Sequence, residues 1–315
     1  DYIWSVKHSK TNANTVYVGT NTGGLYRTQD GGTSWSQVYT SGSITDIVCF
    51  SNGGVMIARR NSGIYYSSTG NSGTFSKLTD SDLPTSGFYR VEIEEYQAND
   101  DIVYAAFEQS SGGCLAFLKS TDGGTNWTPV GTPSIGQTYS YYCFNVGVSA
   151  NNSNRITCAG VSLRYSTNGG TSWSNASTSH ADHHSMAAYS GNPDELLIGN
   201  DGGVFRFNWN SMNTYTDLNN GYHTTQFYAG DFAPFGSITI AGTQDNGTHR
   251  VGDNYDKVYG ADGGYAHVSL QNADLAYLST QNGNMRRSTN FTSGNPGTTG
   301  INSNSTMNSE GYMFI

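Results

Sequence analysis

Charged side chains are what this sequence has least of. Asp, Glu, Lys and Arg make up 12% of its 315 residues, about half the usual share. The net charge is −9, and no basic cluster exceeds Arg59-Arg60 or Arg286-Arg287. A nucleic-acid partner is therefore excluded, because neutralising phosphates needs many Lys and Arg on one face. No apolar run is longer than a strand, so nothing is expected to span a membrane. No helical periodicity of useful length occurs. The 4 cysteines, Cys49, Cys114, Cys143 and Cys158, form no C-x-x-C pair, which excludes a zinc ribbon or thioredoxin-like motif. Each sits in an apolar run and reads as a small buried hydrophobe, with a Cys143–Cys158 disulfide left open. No signal peptide stands at the start. The expectation is a chain that begins after one, or was cut from something longer.

What fills the space is Gly (40) and Tyr (22), with Ser, Thr and Asn. Aromatic residues reach 13% and recur at regular positions, so the composition is not that of a disordered chain. Short apolar runs separated by Gly, Asn, Ser and Asp read as all-β.

Three segments nearly superimpose: Thr28-Gln-Asp-Gly-Gly-Thr-Ser-Trp35, Ser120-Thr-Asp-Gly-Gly-Thr-Asn-Trp127 and Ser166-Thr-Asn-Gly-Gly-Thr-Ser-Trp173. The second and third tryptophans are 46 residues apart, and the first and second 92, twice that spacing. A degenerate copy, Ser67 to Phe75, falls between them with Phe in the Trp place. Each unit reads as four short runs, Ile3–His8, Thr15–Thr20, Gly24–Thr28 and Ser34–Tyr39 in the first, His184–Tyr189, Glu195–Gly199, Gly203–Phe207 and Thr214–Leu218 in the fifth. Four strands in a repeat of this length make a propeller blade. Units begin near Ile3, Ile44, Val91, Cys143, His184, Phe227 and Tyr265. The expected fold is thus an all-β propeller of about seven four-stranded blades, complete or part of a larger one. Blades should fill residues 1–297, with a loop and the first strand of a further or ring-closing blade in 298–315. Later units lose the motif; Ser288-Thr-Asn290 keeps its start, and Gly311–Ile315 looks like that further strand.

The repeated octamer is a structural device. Asp and Gly-Gly make a tight turn between third and fourth strands, with Gly supplying φ > 0 and the carboxylate capping backbone N–H groups. Asp30 and Asp122 are therefore structural, Asn168 caps the same turn without charge, and Trp35, Trp127 and Trp173 are expected to plug the blade edge.

This octamer resembles that of the Asp-box (BNR) repeat proteins, namely sialidases, xyloglucanase-type hydrolases and sortilin-type domains. Four further segments occur in order: His180-Ala-Asp-His-His184, Gly199-Asn-Asp-Gly-Gly-Val-Phe-Arg206, Gly242-Thr-Gln-Asp-Asn-Gly247 and Gly260-Ala-Asp-Gly-Gly264. They resemble stretches of large secreted bacterial BNR-repeat proteins described as glycosyl hydrolases or type 9 secretion cargo. The resemblance covers nearly the whole chain and implies secretion and an extracellular or cell-surface role. It carries no catalytic residue set. The Phe/Tyr-Arg-Ile-Pro segment of sialidases is missing; Phe88-Tyr-Arg-Val91 lacks its Pro and falls in a later blade. Where the xyloglucanase type places an Asp, the first blade has Asn21-Thr-Gly-Gly24.

In a four-stranded meander, second-to-third turns and blade connections share the face opposite the Asp boxes. All four segments fall there, which is expected to bring His180, Asp182, His184, Asp201, Asp245 and Asp262 near one mouth of the central channel. Carboxylates suit Ca2+ and the imidazoles another divalent metal. Asp before Gly-Gly is also an ordinary turn former, and His with Asp satisfy each other in buried networks. Asp182, Asp201, Asp245 and Asp262 are in addition the carboxyls available to a glycoside hydrolase. Tyr139, Tyr141 and Tyr142 are expected either to stack on sugars or meet a protein, or to pack within strands. The first reading is a secreted or cell-surface binding, adhesion or scaffold module for polysaccharide, glycan or protein; the second is a glycoside hydrolase.

Overall fold

The computed structural model describes residues 2–139, 142–177, 180–189, 191–212, 214–221, 225–233, 238–252 and 255–301. Among these residues the strands form seven four-stranded antiparallel sheets, each a meander with strand order following chain order. Two compact units divide them, Asp1–Asn219 with five blades and Asn220–Ile315 with two. The first strands are Ile3–His8, Ile44–Cys49, Phe88–Glu95, Asn145–Val148 and His183–Ala188 in the first unit, and Phe227–Phe232 and Ala266–Val268 in the second. Within each unit the first strands of successive blades pack against each other. Every blade begins within three residues of its expected start, the largest difference being Phe88 against Val91.

Packing between blades explains the apolar runs. All six residues of Ile44–Cys49 are buried, because both faces of the strand are covered by sheet. Leu25 and Tyr17 of blade 1 meet Ile44, Ile47 and Ile57 of blade 2. Tyr104 and Phe117 of blade 3 meet Phe144 and Ile156 of blade 4. Each such fully buried side chain contributes roughly 1.5–3 kcal/mol. Blades approach closely where glycine allows it: a Cβ on Gly19 would lie 2.7 Å from the Ile44 carbonyl oxygen. A buried carboxylate ties three first strands together, as Asp46 accepts from the amides of Ile47 (2.8 Å) and Ile93 (3.0 Å) and from Ser5 Oγ (3.1 Å).

The Gly-Gly turns repeat one set of hydrogen bonds. In blades 1, 3 and 4 the hydroxyl of Thr28, Ser120 or Ser166 accepts from the amide of Gly32, Gly124 or Gly170, each at 2.9 Å. The side-chain oxygen of Asp30, Asp122 or Asn168 accepts from the amide four residues on at 2.9, 2.9 and 3.0 Å. Hydrogen bonds from Ser34 hold the Asp30 carboxyl down at about 2. Blade 7 keeps more of this arrangement than its sequence shows, with Ser288 Oγ on Asn290 Oδ1 at 3.2 Å.

The aromatic after each turn packs on the preceding blade. Phe75 meets Tyr39 at 5.6 Å, Trp127 joins the core of blades 2 and 3, and Trp173 meets Phe117 at 4.9 Å. Trp35 corrects the expectation. It is 46% exposed. The fourth strands Ser76–Lys77, Thr128–Pro129, Ser174–Asn175 and Thr299–Gly300 are two residues long and exposed. The last of these completes blade 7 and carries the blades past residue 297 to Gly300. Residues 311–315, expected to form a further strand, lie outside the described residues, as does Tyr141.

All four cysteines are free. The thiol beside Cys158 is that of Cys114, from the third strand of blade 3, and not that of Cys143. Sequence distance misled here: Cys143 and Cys158 flank one hairpin, whereas Cys114 reaches Cys158 through the packing of one blade on the next.

Candidate functional site

The two faces are written in backbone hydrogen bonds. On one, third-to-fourth turns meet first-to-second turns: Gly31 N to Asn14 O, Gly123 N to Asp101 O and Gly169 N to Asn154 O, each 3.0 Å. On the other, second-to-third turns meet the connections entering the next blade: Arg60 N to Ser43 O (2.9 Å), Val161 N to Gln137 O (2.9 Å) and His183 N to Gly160 O (3.1 Å). Within each unit the sequence-predicted residues lie among turns and connections of this second kind.

Within the first unit, His180, Asp182, His184 and Asp201 cluster between blades 4 and 5. Asp182 takes a left-handed backbone (φ 60°), its amide on Val161 O, and its carboxylate accepts from the Cys143 thiol at 3.9 Å. One of its oxygens lies within 4.8 Å of an Asp201 oxygen. Asp201 is held by two donors, the Tyr142 hydroxyl on Oδ2 and His184 Nε2 on Oδ1. His184 Nδ1 faces the Tyr142 carbonyl at 3.1 Å, and the two rings meet edge to face at 4.6 Å. Both imidazole nitrogens are thus engaged, so a divalent cation would find its ligands in the Asp182 and Asp201 carboxylates and not in His184. His180 packs over the Asp201-Gly202 turn: a Cβ on Gly202 would lie 2.7 Å from its own Cβ.

Within the second unit, Asp262 accepts from the Asp245 amide at 2.8 Å and from Gln281 Nε2 at 2.9 Å, and is 7% exposed. Its carboxylate fastens the second-to-third turn of blade 6 to the connection into blade 7. The glycines of this motif have the same task. A Cβ on Gly242 would meet the Gly264 carbonyl oxygen at 1.9 Å, and one on Gly263 the Gly247 oxygen at 2.2 Å. Close backbone approach explains why glycine is required there.

Sequence reasoning missed the concave part of the face. A cavity of about 650 Å3 in the first unit is lined by Trp4, Asn21, Arg60, Arg90 and Tyr142, with Tyr2 at its rim. Arg90 stacks on Trp4 at 5.0 Å, Arg60 on Tyr89 at 5.5 Å, and Trp4 Nε1 donates to Asn21 Oδ1 at 3.2 Å. Arg90 Nε donates to Glu92 Oε1 at 2.7 Å. Residues from four blades build this cavity, and no local pattern could have shown it. Tyr142 belongs both to the cavity and to the Asp201 network. His183, beside the predicted His184, was also missed; it is fully buried on the Gly160 carbonyl (3.1 Å), and burial holds its imidazole below the usual histidine range. A larger cavity of about 910 Å3 lies on the opposite face, but its Asp100 and Asp122 are committed to Lys10, Ser51 and their own turn.

A pleated meander repeated in this way, with a walled pocket on the face of its blade connections in the first unit, defines a β-propeller. The DUF6242 beta propeller domain matches residues 5–193, more than half the chain, and the chain belongs to that family. No curated protein sequence matches it. Among solved structures it is similar to the GH74 xyloglucanase from Xanthomonas campestris (14% identity, TM-score 0.62, 89% of this chain and 50% of that one). It is also similar to the Niastella koreensis GH74 enzyme (16%, TM-score 0.57, 94% and 56%) and to an ancestral GH74 enzyme (14%, TM-score 0.57, 94% and 46%). The chain spans about half the length of these structures. At such identity the likeness is one of fold. Among the described residues no helix is long and apolar enough to cross a membrane.

Proposed function

We propose that this chain is the binding module of a longer secreted or cell-surface protein, an Asp-box propeller that takes a carbohydrate or protein ligand on the face of its second-to-third turns. The observation that carries this reading is Tyr142, which lines the 650 Å3 cavity and also donates to Asp201. A pocket of this size with aromatic walls and few convergent polar groups is the usual form of a ligand site. The repeated Ser/Thr–Asp–Gly-Gly hydrogen bonds support the Asp-box reading, and the order of the four motif segments supports type 9 secretion cargo. Arrayed glycans and peptides test the function, with Tyr142→Phe and Asp201→Asn as controls. Ligand retained equally by both variants would place binding elsewhere.

A second reading, glycoside hydrolase, is favoured by one specific feature, the Asp182 and Asp201 carboxylates within 4.8 Å, close to the spacing of about 5 Å used for retention. Hydrolysis of polysaccharides that survives both Asp182→Ala and Asp201→Ala would remove it. The same two carboxylates are the place for Ca2+ or another divalent metal, and a calcium titration of wild type against Asp182→Asn tests that.

A further inference from the structure

We infer that the Arg60–Arg90 cavity of the first unit binds the carboxylate of an acidic sugar, a uronate-type residue in a glycan. This deepens the binding reading above and rests on it.

The argument begins with Arg90. Its side chain is 9% exposed, and among the described residues its one acceptor is Glu92, reached by Nε. The two terminal nitrogens, the fork that best matches a carboxylate, donate to no described group, and Arg90 lines the cavity. Arg60 adds a second cation to the same wall, and its Nε is buried without an acceptor. Both planes are held in place by aromatic rings, Trp4 and Tyr89, so little side-chain freedom is lost on binding. Burial pushes the Glu92 carboxyl up, which weakens it as a counter-charge to Arg90.

The pocket is a local concentration of positive charge on a molecule of net charge −9, which marks it as selective for anions. About 650 Å3 is far more than a bare inorganic anion fills. Tyr2, 75% exposed, and Tyr142, 37% exposed, offer flat rings beside the arginines, on which a pyranose ring stacks. Asn21 supplies an amide for hydroxyl groups. Charge fork, aromatic walls and amide together describe a carboxylated sugar more closely than an extended peptide, whose backbone would seek a free strand edge.

Calorimetric titration with tri-galacturonate, with its methyl ester and with hexaglutamate tests the assignment. The expected result is binding of tri-galacturonate, weakened by salt, with the methyl ester weaker by about 10- to 100-fold. Arg60→Gln and Arg90→Lys should each lower affinity for the acid by about tenfold or more, measured at a temperature where each variant is folded. The lysine keeps the charge and lacks the fork. Equal binding of acid and ester, binding unchanged in both variants, or hexaglutamate bound in place of the sugar would each overturn the inference. A neutral glycan bound in a Tyr142-dependent and arginine-independent way would overturn it and leave the binding module standing.

Discussion

Arg90 and Glu92 form an ion pair at 2.7 Å with both side chains about nine-tenths buried, two residues apart on one strand and therefore on one face. Burial outweighs the nearby arginine and raises Glu92 to about 8. In the unfolded chain this group titrates near 4.5. Between those values the folded state holds a proton that the unfolded state has lost, so this group's effect is a stability that falls as pH rises from about 4.5 to about 8 and then levels. Glu92→Gln keeps an acceptor for Arg90 Nε and should flatten that slope. Melting temperatures of both proteins from pH 4.5 to 9 check the prediction; parallel curves would contradict it.

The acid limb has a different origin. Asp30 is held near 2 by Ser34, and Asp122 is lowered chiefly by the Asn126 amide. A lowered carboxyl gives stability that is present above its unfolded value, near 3.8, and is lost as pH falls through the folded value. Asn168 shows that an amide holds the same turn, with Nδ2 on Ser172 Oγ at 2.9 Å. Asp122→Asn should therefore melt close to wild type at neutral pH and lose less below pH 4. Asp122→Ala leaves the turn amides without their cap and should cost about 1 kcal/mol, similar to other lost side-chain caps. Thermal melts at pH 7 and pH 3 separate the two.

Thiol reactivity should follow burial. Burial pushes Cys49 and Cys143 to about 12 and Cys158 well above the usual range. Thiolate is the reacting form, so iodoacetamide at pH 8 should spare these three in the folded protein, and the half-buried Cys114 should be labelled first. Under oxidation the bond that forms should join Cys114 to Cys158. Peptide mass mapping reads both; a Cys143–Cys158 bridge would contradict the packing described.

Glycine is obligatory at position 242. Gly242→Ala brings a methyl group into the Gly263 and Gly264 carbonyl oxygens, which are backbone and cannot turn aside. The expected cost is about 2–3 kcal/mol, seen as a lower urea midpoint. Gly53→Ala, where a Cβ meets nothing within 4 Å but φ is +87°, isolates the backbone cost alone.

What was legible in the sequence is what repeats locally. The 46-residue spacing, the turn residues and the apolar runs gave seven blade starts and the face on which the motifs lie, since each depends on hydrogen bonds within one hairpin. Asp201 and His184 were found because they flank such a hairpin. Arg60 and Arg90 were not, because their pocket joins residues from Trp4 to Tyr142 that share nothing in sequence. Arg90 stood in view as part of Phe88-Tyr-Arg-Val91, where a missing Pro drew more notice than the arginine. Asp262 looked like a ligand, yet it spends its oxygens on the Asp245 amide and Gln281. Trp35 failed for the opposite reason: its motif is intact, but the packing it serves belongs to the preceding blade.

The two-residue outer strands have a bearing on how the protein behaves in company. An unpaired β-edge recruits other chains in proportion to the ladder it offers. Ser76–Lys77, Thr128–Pro129 and Ser174–Asn175 offer a couple of rungs each, one pair carrying a lysine and another interrupted by proline. At these three blades the sheet thereby presents little that a stray strand can lengthen.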